Sequence, residues 1–483
     1  MSSLHPARSL ADQAIEIWSA GVEAVRADRL VADNVFISDE SLDVGDFSID
    51  RSSFDRVLLI GGGKAVASMT RALQCLLQPH LPVYGWVNVP EGTEQFDAPQ
   101  TEHGSPSVNV FPARPPGINE PTLAVLEGTR EILRLATDAS PRDLILIVIS
   151  GGGSALLALP VEGIDLADKL AVIRHLSASG ADICELNTVR KQLSRIKGGG
   201  LAQACVGKQH LTLVLSDVLG DPLDIIASGP TVANRSTAAE ALKVLAKFDA
   251  ERSLPKRVYE HLEQRCQKQT AKPTFDQCDA SDSVVVLGNN ATAVDAAGVC
   301  AERLGYSHAM SVATSCEGSA ESVGIKLAEM AVSMLGERDA GNASPDCLIT
   351  GGEPTVRLAP PEIRGRGGRN THVVLAAMNR LMQMGITQEA LDRISLLSGG
   401  TDGEDGPTDA AGAVLSKRVW RNAARLKLNP SEFLSRSDSY TFFQLTEGLL
   451  LTGPTHTNVC DVRVVVVEGS TRPSEPTNTT SQR

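Results

Sequence analysis

Short unbroken apolar runs alternate along the chain with longer segments whose apolar positions recur every three or four residues. The runs at 56–60, 143–149, 211–215, 283–287, 347–349 and 394–397 are rich in Val, Ile and Leu and bounded by glycine. Runs this continuous predict strands covered on both faces, hence a mostly parallel sheet. Between them the 3.6-residue pattern predicts helices over 9–28, 64–77, 121–135, 166–180, 189–205, 236–248, 291–304 and 319–335. Strand and helix in alternation predict an α/β fold.

At 483 residues the chain is long enough for two or three domains of roughly 100–200 residues. A boundary falls near Asn234, where the glycine-dense first part gives way to a polar helical stretch. The division expected is 1–235, 236–468, and a polar, proline-containing tail at 469–483 with nothing to bury. With 45 basic against 58 acidic residues the net charge is −13. A chain this acidic has no global field for nucleic acid or an anionic membrane, so neither is expected as a partner. No run of about 18 apolar residues occurs and the first residues lack a signal-peptide stretch, which predicts a cytoplasmic protein. Nine cysteines stand singly with no CxxC pair, as expected of buried thiols in a reducing compartment.

Candidate chemistry sits where apolar runs end in glycine. Gly61-Gly62-Gly63-Lys64 follows the first run and opens a helix, a geometry that aims backbone N–H groups at an anion. It is no Walker loop, because alanine follows the lysine. As a dinucleotide fingerprint it lacks the third glycine, where Val66 stands, and an acid about twenty residues on. Ser150-Gly151-Gly152-Gly153-Ser154 repeats the theme, and two such turns in one doubly wound sheet would face the same crevice. Either is equally an ordinary turn packing helix on strand.

Segment 187–200 carries Arg190, Lys191, Arg195 and Lys197 with no acid among them. If helical, Arg190, Ser194 and Lys197 share a face, beside a ridge of Lys191 and Arg195. Such a stripe would admit a charged nucleotide, or merely complement a helix end, worth roughly 0.3–1 kcal/mol per cation. Asp217 and Asp221, directly after the third run, are candidate Mg²⁺ ligands, since Mg²⁺ takes one or two carboxylates and leaves the rest to water and phosphate; Asp-Pro is also a common turn. Glu353, Arg369, Asn370 and Asp402 belong to further glycine-rich blocks. His456 and His372 stand alone, as structural histidines commonly do.

Taken together, GGGKA (61–65), ISGGGSALL (149–157), NTVRKQLSRIKGGGLA (187–202), SDVLGDPLDIIASGPT (216–231), GGEPTV (351–356), GRGGRN (365–370), GTDGEDGPTDAAGA (400–413) and THTNVCD (455–461) resemble type II glycerate kinase. The resemblance implies an amino-terminal Rossmann-like, doubly wound, mostly parallel domain, a second α/β domain of MOFRL type, and an active site in the cleft between them. It implies ATP- and Mg²⁺-dependent phosphorylation of D-glycerate to 2-phosphoglycerate, with small molecules as partners and a homodimer left open. The family's important lysine and arginine fall on Lys64 and Arg369. Asp217 is the candidate for hydroxyl activation or metal binding, with Asp221 for metal. Gly61, Gly62, Gly63, Ser150, Gly151, Gly152, Gly153, Ser154, Arg190, Lys197, Glu353, Asn370 and Asp402 are expected to line the site. Lys64 would neutralise the transferring phosphoryl group, and Arg369 would fork onto the glycerate carboxylate or the phosphate. Two blocks depart from the family pattern: Thr371-His372 stands in place of Gln-Glu, and His103-Gly104-Ser105-Pro106 in place of Gly-His-Pro-Val-Pro. Competing readings are an NAD(P)-dependent reductase of the hydroxypyruvate type and a non-catalytic nucleotide or sugar-phosphate sensor.

Overall fold

The computed structural model describes residues 8–93, 107–115, 118–205, 207–268 and 283–468. The departing block at 103–106, the tail at 469–483 and Cys278 lie outside the described residues. Two compact units share the chain, one of Val25–Asn289 with His456–Val459, the other of Met1–Ala24, Asn290–Thr455 and Cys460–Arg483.

The first unit is built on six strands, β1 (Arg56–Gly62), β2 (Val83–Pro90), β3 (Val108–Arg114), β4 (Asp143–Ser150), β5 (His210–Leu215) and β6 (Val284–Gly288). They lie in the order β3-β2-β1-β4-β5-β6, and every neighbouring pair is parallel. That is the order of doubly wound nucleotide-binding sheets, in which the direction of winding reverses between β1 and β4. β4 is buried along its whole length, as the apolar run at 143–149 predicts. A small antiparallel meander, Val35–Ile37, Ser41–Val44 and Phe47–Asp50, precedes β1.

The second unit has β7 (His308–Val312), β8 (Cys347–Gly352), β9 (Ile394–Gly400), β10 (Gly412–Leu415), β11 (Leu449–Leu450) and β12 (Asp461–Val467), in the order β7-β8-β12-β9-β10-β11. Only β7 and β8 pair in parallel; the other pairs are antiparallel. "Mostly parallel" therefore describes the first sheet alone. The last strand of the chain, β12, lies between β8 and β9. Helices Ala320–Asp339 and Arg369–Gln383 contribute to one core with Val465 and Leu396.

Two sequence expectations change. The chain passes between units at 24/25, 289/290, 455/456 and 459/460, so the boundary expected at 235 falls inside the first unit. The cause is β6, which pairs with β5 and draws residues 236–289 into that unit. The helix expected over 189–205 is instead Ile183–Gln192 and the short Gly200–Ala204. Ser194 leaves the helix to bridge Pro160, and the Arg195 N–H donates to the Leu159 carbonyl at 2.9 Å. The proposed common face of Arg190, Ser194 and Lys197 does not exist. Of the cysteines outside any disulfide, Cys205, Cys300, Cys347 and Cys460 are buried, while Cys75, Cys184 and Cys316 are exposed. Among the described residues no helix is long and apolar enough to cross a membrane.

Candidate active site

Pairing of β1 with β4 sets Gly62 beside Ile149, so the two glycine turns leave adjacent carboxyl ends at the switch point of the sheet. They are locked together. The Lys64 N–H donates to the Gly151 carbonyl at 2.8 Å, the Ala65 N–H to Ser150 Oγ at 3.0 Å, and the Gly63 N–H to the Asn88 carbonyl at 3.2 Å. Ser150 is thus spent on the fold. A Cβ at Gly63 would stand 2.2 Å from Ser150 Oγ and 2.8 Å from its backbone, so the close approach requires glycine. Gly63→Ala is expected to cost about 1–3 kcal/mol by overpacking and to cut any activity at least tenfold. Gly336→Ala, in a helix with open space around it, is the control. Equal melting temperatures for the two variants would show that the turns are not interlocked.

The helix Val66–Leu77 begins directly after the first turn, and Gly152 caps the short helix Gly153–Leu156 in a left-handed conformation. The Lys64 side chain passes over Gly152, its Cγ 3.2 Å from where a Cβ would stand. Asp217, beyond the end of β5, lies against Gly151, its Oδ2 only 2.2 Å from the corresponding point, and accepts from Asn458 Nδ2 at 3.4 Å. Lys64 and Asp217 thus border the same glycine turn. Asp221, on the next turn at φ +51°, takes a hydrogen bond from Asn289. Gly61 lies within β1 with its neighbour Val148 packed on it.

Behind this turn Lys197 is buried. Its ammonium donates to Ser154 O at 2.8 Å, Ser154 Oγ at 2.9 Å, Ala227 O at 3.2 Å and Ser228 Oγ at 3.4 Å. Burial, joined by repulsion from Lys169, Arg190 and Lys191, lowers its pKa far below the usual lysine value. Arg190 reaches Asn187 Oδ1 at 3.4 Å, and burial lowers its pKa as well.

Arg369, Asn370, Glu353 and Asp402 belong to the second unit. Arg369 opens the helix Arg369–Gln383, and its fork is taken by Asp461, Nε to Oδ2 at 2.7 Å and Nη2 to Oδ1 at 3.0 Å, with Glu353 on Nη1 at 2.7 Å. Burial works against its charge, but the two carboxylates more than offset this and raise its pKa. Asn370 is fully engaged, donating to Asp461 at 2.9 Å and accepting from Ser398 at 2.6 Å. Asp405 caps the helix by accepting from the Asn370 and Thr371 N–H groups, both at 2.8 Å, and from Thr371 Oγ1 at 2.7 Å. Burial nevertheless pushes its pKa up to about 6. The departing Thr371 is therefore part of a cap, and His372 is buried beside it. Asp402 receives the Glu404 N–H at 3.1 Å.

Sequence reasoning did not single out Asp461, Asp405, Asn187 or Lys169. For Lys169 a signal was present, a lysine on the stripe shared with Val172 and Leu176 of the helix Leu166–Ala178. Among the described residues no group of three or more His, Cys, Asp or Glu side chains is arranged to hold a metal ion.

A doubly wound sheet with paired glycine turns at its switch point, joined to a mixed-sheet unit, defines a two-unit α/β protein. Residues 13–263 match the domain described as "Domain of unknown function (DUF4147)", and 346–461 match the MOFRL family. A glycerate kinase of Danio rerio is 35% identical over 96% of this chain and 98% of its own length. The D-glycerate 2-kinase of Thermotoga maritima is 32% identical over 95% and 99%. A relative from Agrobacterium vitis named as a hydroxypyruvate reductase is 36% identical over 85% and 99%. The crystal structure of a Thermotoga maritima glycerate kinase matches with a TM-score of 0.75 at 31% identity, covering 95% of this chain and 99% of that one. The chain belongs to the glycerate kinase family that joins a DUF4147 domain to a MOFRL domain.

Proposed function

We propose that the chain transfers the γ-phosphoryl group of ATP to D-glycerate and forms 2-phosphoglycerate. The observation that carries this reading is the interlocked pair of glycine turns with Lys64 and Asp217 on the Gly151-Gly152 segment. The N–H groups of Gly63, Lys64 and Ala65 are taken by the interlock, so backbone donation to a phosphate chain would fall to the Gly151–Gly153 turn. Lys64 would neutralise charge as the phosphoryl group moves, which is most of what phosphoryl transfer asks of a protein. Asp217 would accept the acceptor's hydroxyl proton or hold Mg²⁺. As a carboxylate at a strand end beside a phosphate turn it fits the oxygen-donor, low-ligand-count preference of that ion. Asp221 is the second metal candidate. When bound, Mg²⁺ would supply neutralising charge to the phosphates. Arg369, already countered by Glu353 and Asp461, is better suited to ordering the loops that meet at the start of its helix than to drawing in an anion. A cytosolic setting goes with this reading.

An ADP-release screen over small hydroxy acids, with NMR on the product, tests it. ADP production that requires D-glycerate and a phosphate on C2 are expected; no acceptor-dependent ADP would overturn the reading. In Asp217→Asn the Mg²⁺ concentration for half-maximal rate should rise severalfold, and an unchanged titration moves the metal elsewhere. The Agrobacterium relative's name favours a second reading, reduction of hydroxypyruvate. Oxidation of NADH by hydroxypyruvate, followed at 340 nm without ATP, would establish it.

A further inference from the structure

Three cations of the first unit, Lys169 and Lys197 buried and Arg190 partly buried, lie near enough to repel one another, and among the described residues none is bonded to a carboxylate. Lys169 is 3% exposed and its Nζ has no hydrogen-bond partner. Its sequence neighbour Asp168 is committed to Arg257 and to the start of its own helix. Asn187, also 3% exposed, accepts from Ser228 Oγ at 3.0 Å and from Arg190, which leaves its Nδ2 unbonded. It also lines a cavity of about 570 Å³ with Thr188 and Lys191. The open positions at Lys169, Asn187 and most of the Arg190 fork are all donors. Two buried donors without acceptors, the Lys169 ammonium and the Asn187 amide, beside a partly buried guanidinium, are costly in an empty fold and complementary to an anion.

We propose that Lys169, Asn187 and Arg190 form the subsite that holds the carboxylate of the hydroxy-acid acceptor. This rests on the kinase reading and deepens it. A guanidinium fork matches a planar carboxylate, and a small monoanion is far cheaper to bury than a nucleotide's phosphate chain. Through Lys197 the cluster is tied to Ser154, at the end of the glycine turn assigned to phosphate. An acceptor anchored there keeps its hydroxyls beside that turn. Burial, and after it the repulsion of Arg190, brings the Lys169 ammonium down to about 7. The charged groups around it are Arg190 and Lys197, with the Asp168–Arg257 pair at the start of its helix. Above pH 7 an entering carboxylate should therefore draw a proton onto Lys169.

The test uses the full chain carrying Lys169→Met and, separately, Arg190→Lys, which keeps the charge and loses the fork. Each should raise KM for D-glycerate at least tenfold and leave KM for ATP within twofold. Calorimetry of D-glycerate binding at pH 8, in two buffers of different ionisation enthalpy, should show proton uptake by the wild type and none by Lys169→Met. Without ligand, Lys169→Met should melt at or above the wild-type temperature, because a buried cation is gone, while stabilisation by D-glycerate disappears. An unchanged KM for D-glycerate in both variants overturns the subsite, and so does a rise confined to ATP, which would assign the cluster to nucleotide phosphate. If the wild type releases no ADP, the kinase reading fails. D-glycerate binding that still depends on Lys169 would then support the subsite by itself, and its absence would remove both.

Discussion

Lys64→Ala is expected to lower turnover by about two to four powers of ten while the protein keeps its wild-type melting temperature, the scale for one charge-stabilising group in phosphoryl transfer. The reason for separating the two effects is structural. It is the backbone N–H of Lys64, not its side chain, that bonds to Gly151 and locks the two glycine turns. The alanine variant retains that bond, so the two turns stay joined and loss of rate reports the side chain. Steady-state ADP release and a thermal melt on the same preparation check it. Wild-type turnover would remove Lys64 from the chemistry, and a lowered melting temperature would mean that the side chain carries structural weight.

Asp461→Ala is expected to cause the largest loss of stability. The carboxylate is fully buried and holds Arg369 by two hydrogen bonds and Asn370 by a third. Its removal strands a guanidinium and a buried amide. Breaking a buried pair from one side costs about 3–5 kcal/mol; Arg369 is one-third exposed and keeps Glu353, which favours the lower end. The melting temperature should then fall by on the order of 10 °C, taking about 2–4 °C per kcal/mol for a unit of some 200 residues. Asp461→Asn, which keeps one acceptor, should lose less. Calorimetric melts decide, and an unperturbed Asp461→Ala would show that Arg369 finds its order elsewhere.

Much of the first sheet is legible in the order of residues. Continuous apolar runs of the kind at 143–149 mark central parallel strands, and glycine after them marks turns at strand ends. β2, β3 and β7 escaped because polar, aromatic or glycine residues interrupt them, as in Val83–Pro90. The four valines at the end of β12 were in plain view, yet nothing local says that a strand so late in the chain lies between β8 and β9. Segment 187–200 carried a helical pattern that failed at Leu193, where backbone bonds to Leu159 and Val161, on either side of Pro160, outcompeted the helix.

The same division runs through the candidate site. Residue order alone dictated the two glycine turns, the lysine on the first, the aspartate after β5 and the alternation that winds the first sheet, because each depends on neighbours a few positions away. Tertiary packing decided that Ser150 joins the turns, that Asp461, 92 positions from Arg369, takes its fork, and that Lys169 and Asn187 end beside Arg190 with donors unspent. Those outcomes depend on which distant groups reach a buried charge first, and desolvation makes the choice among them costly enough to be unique.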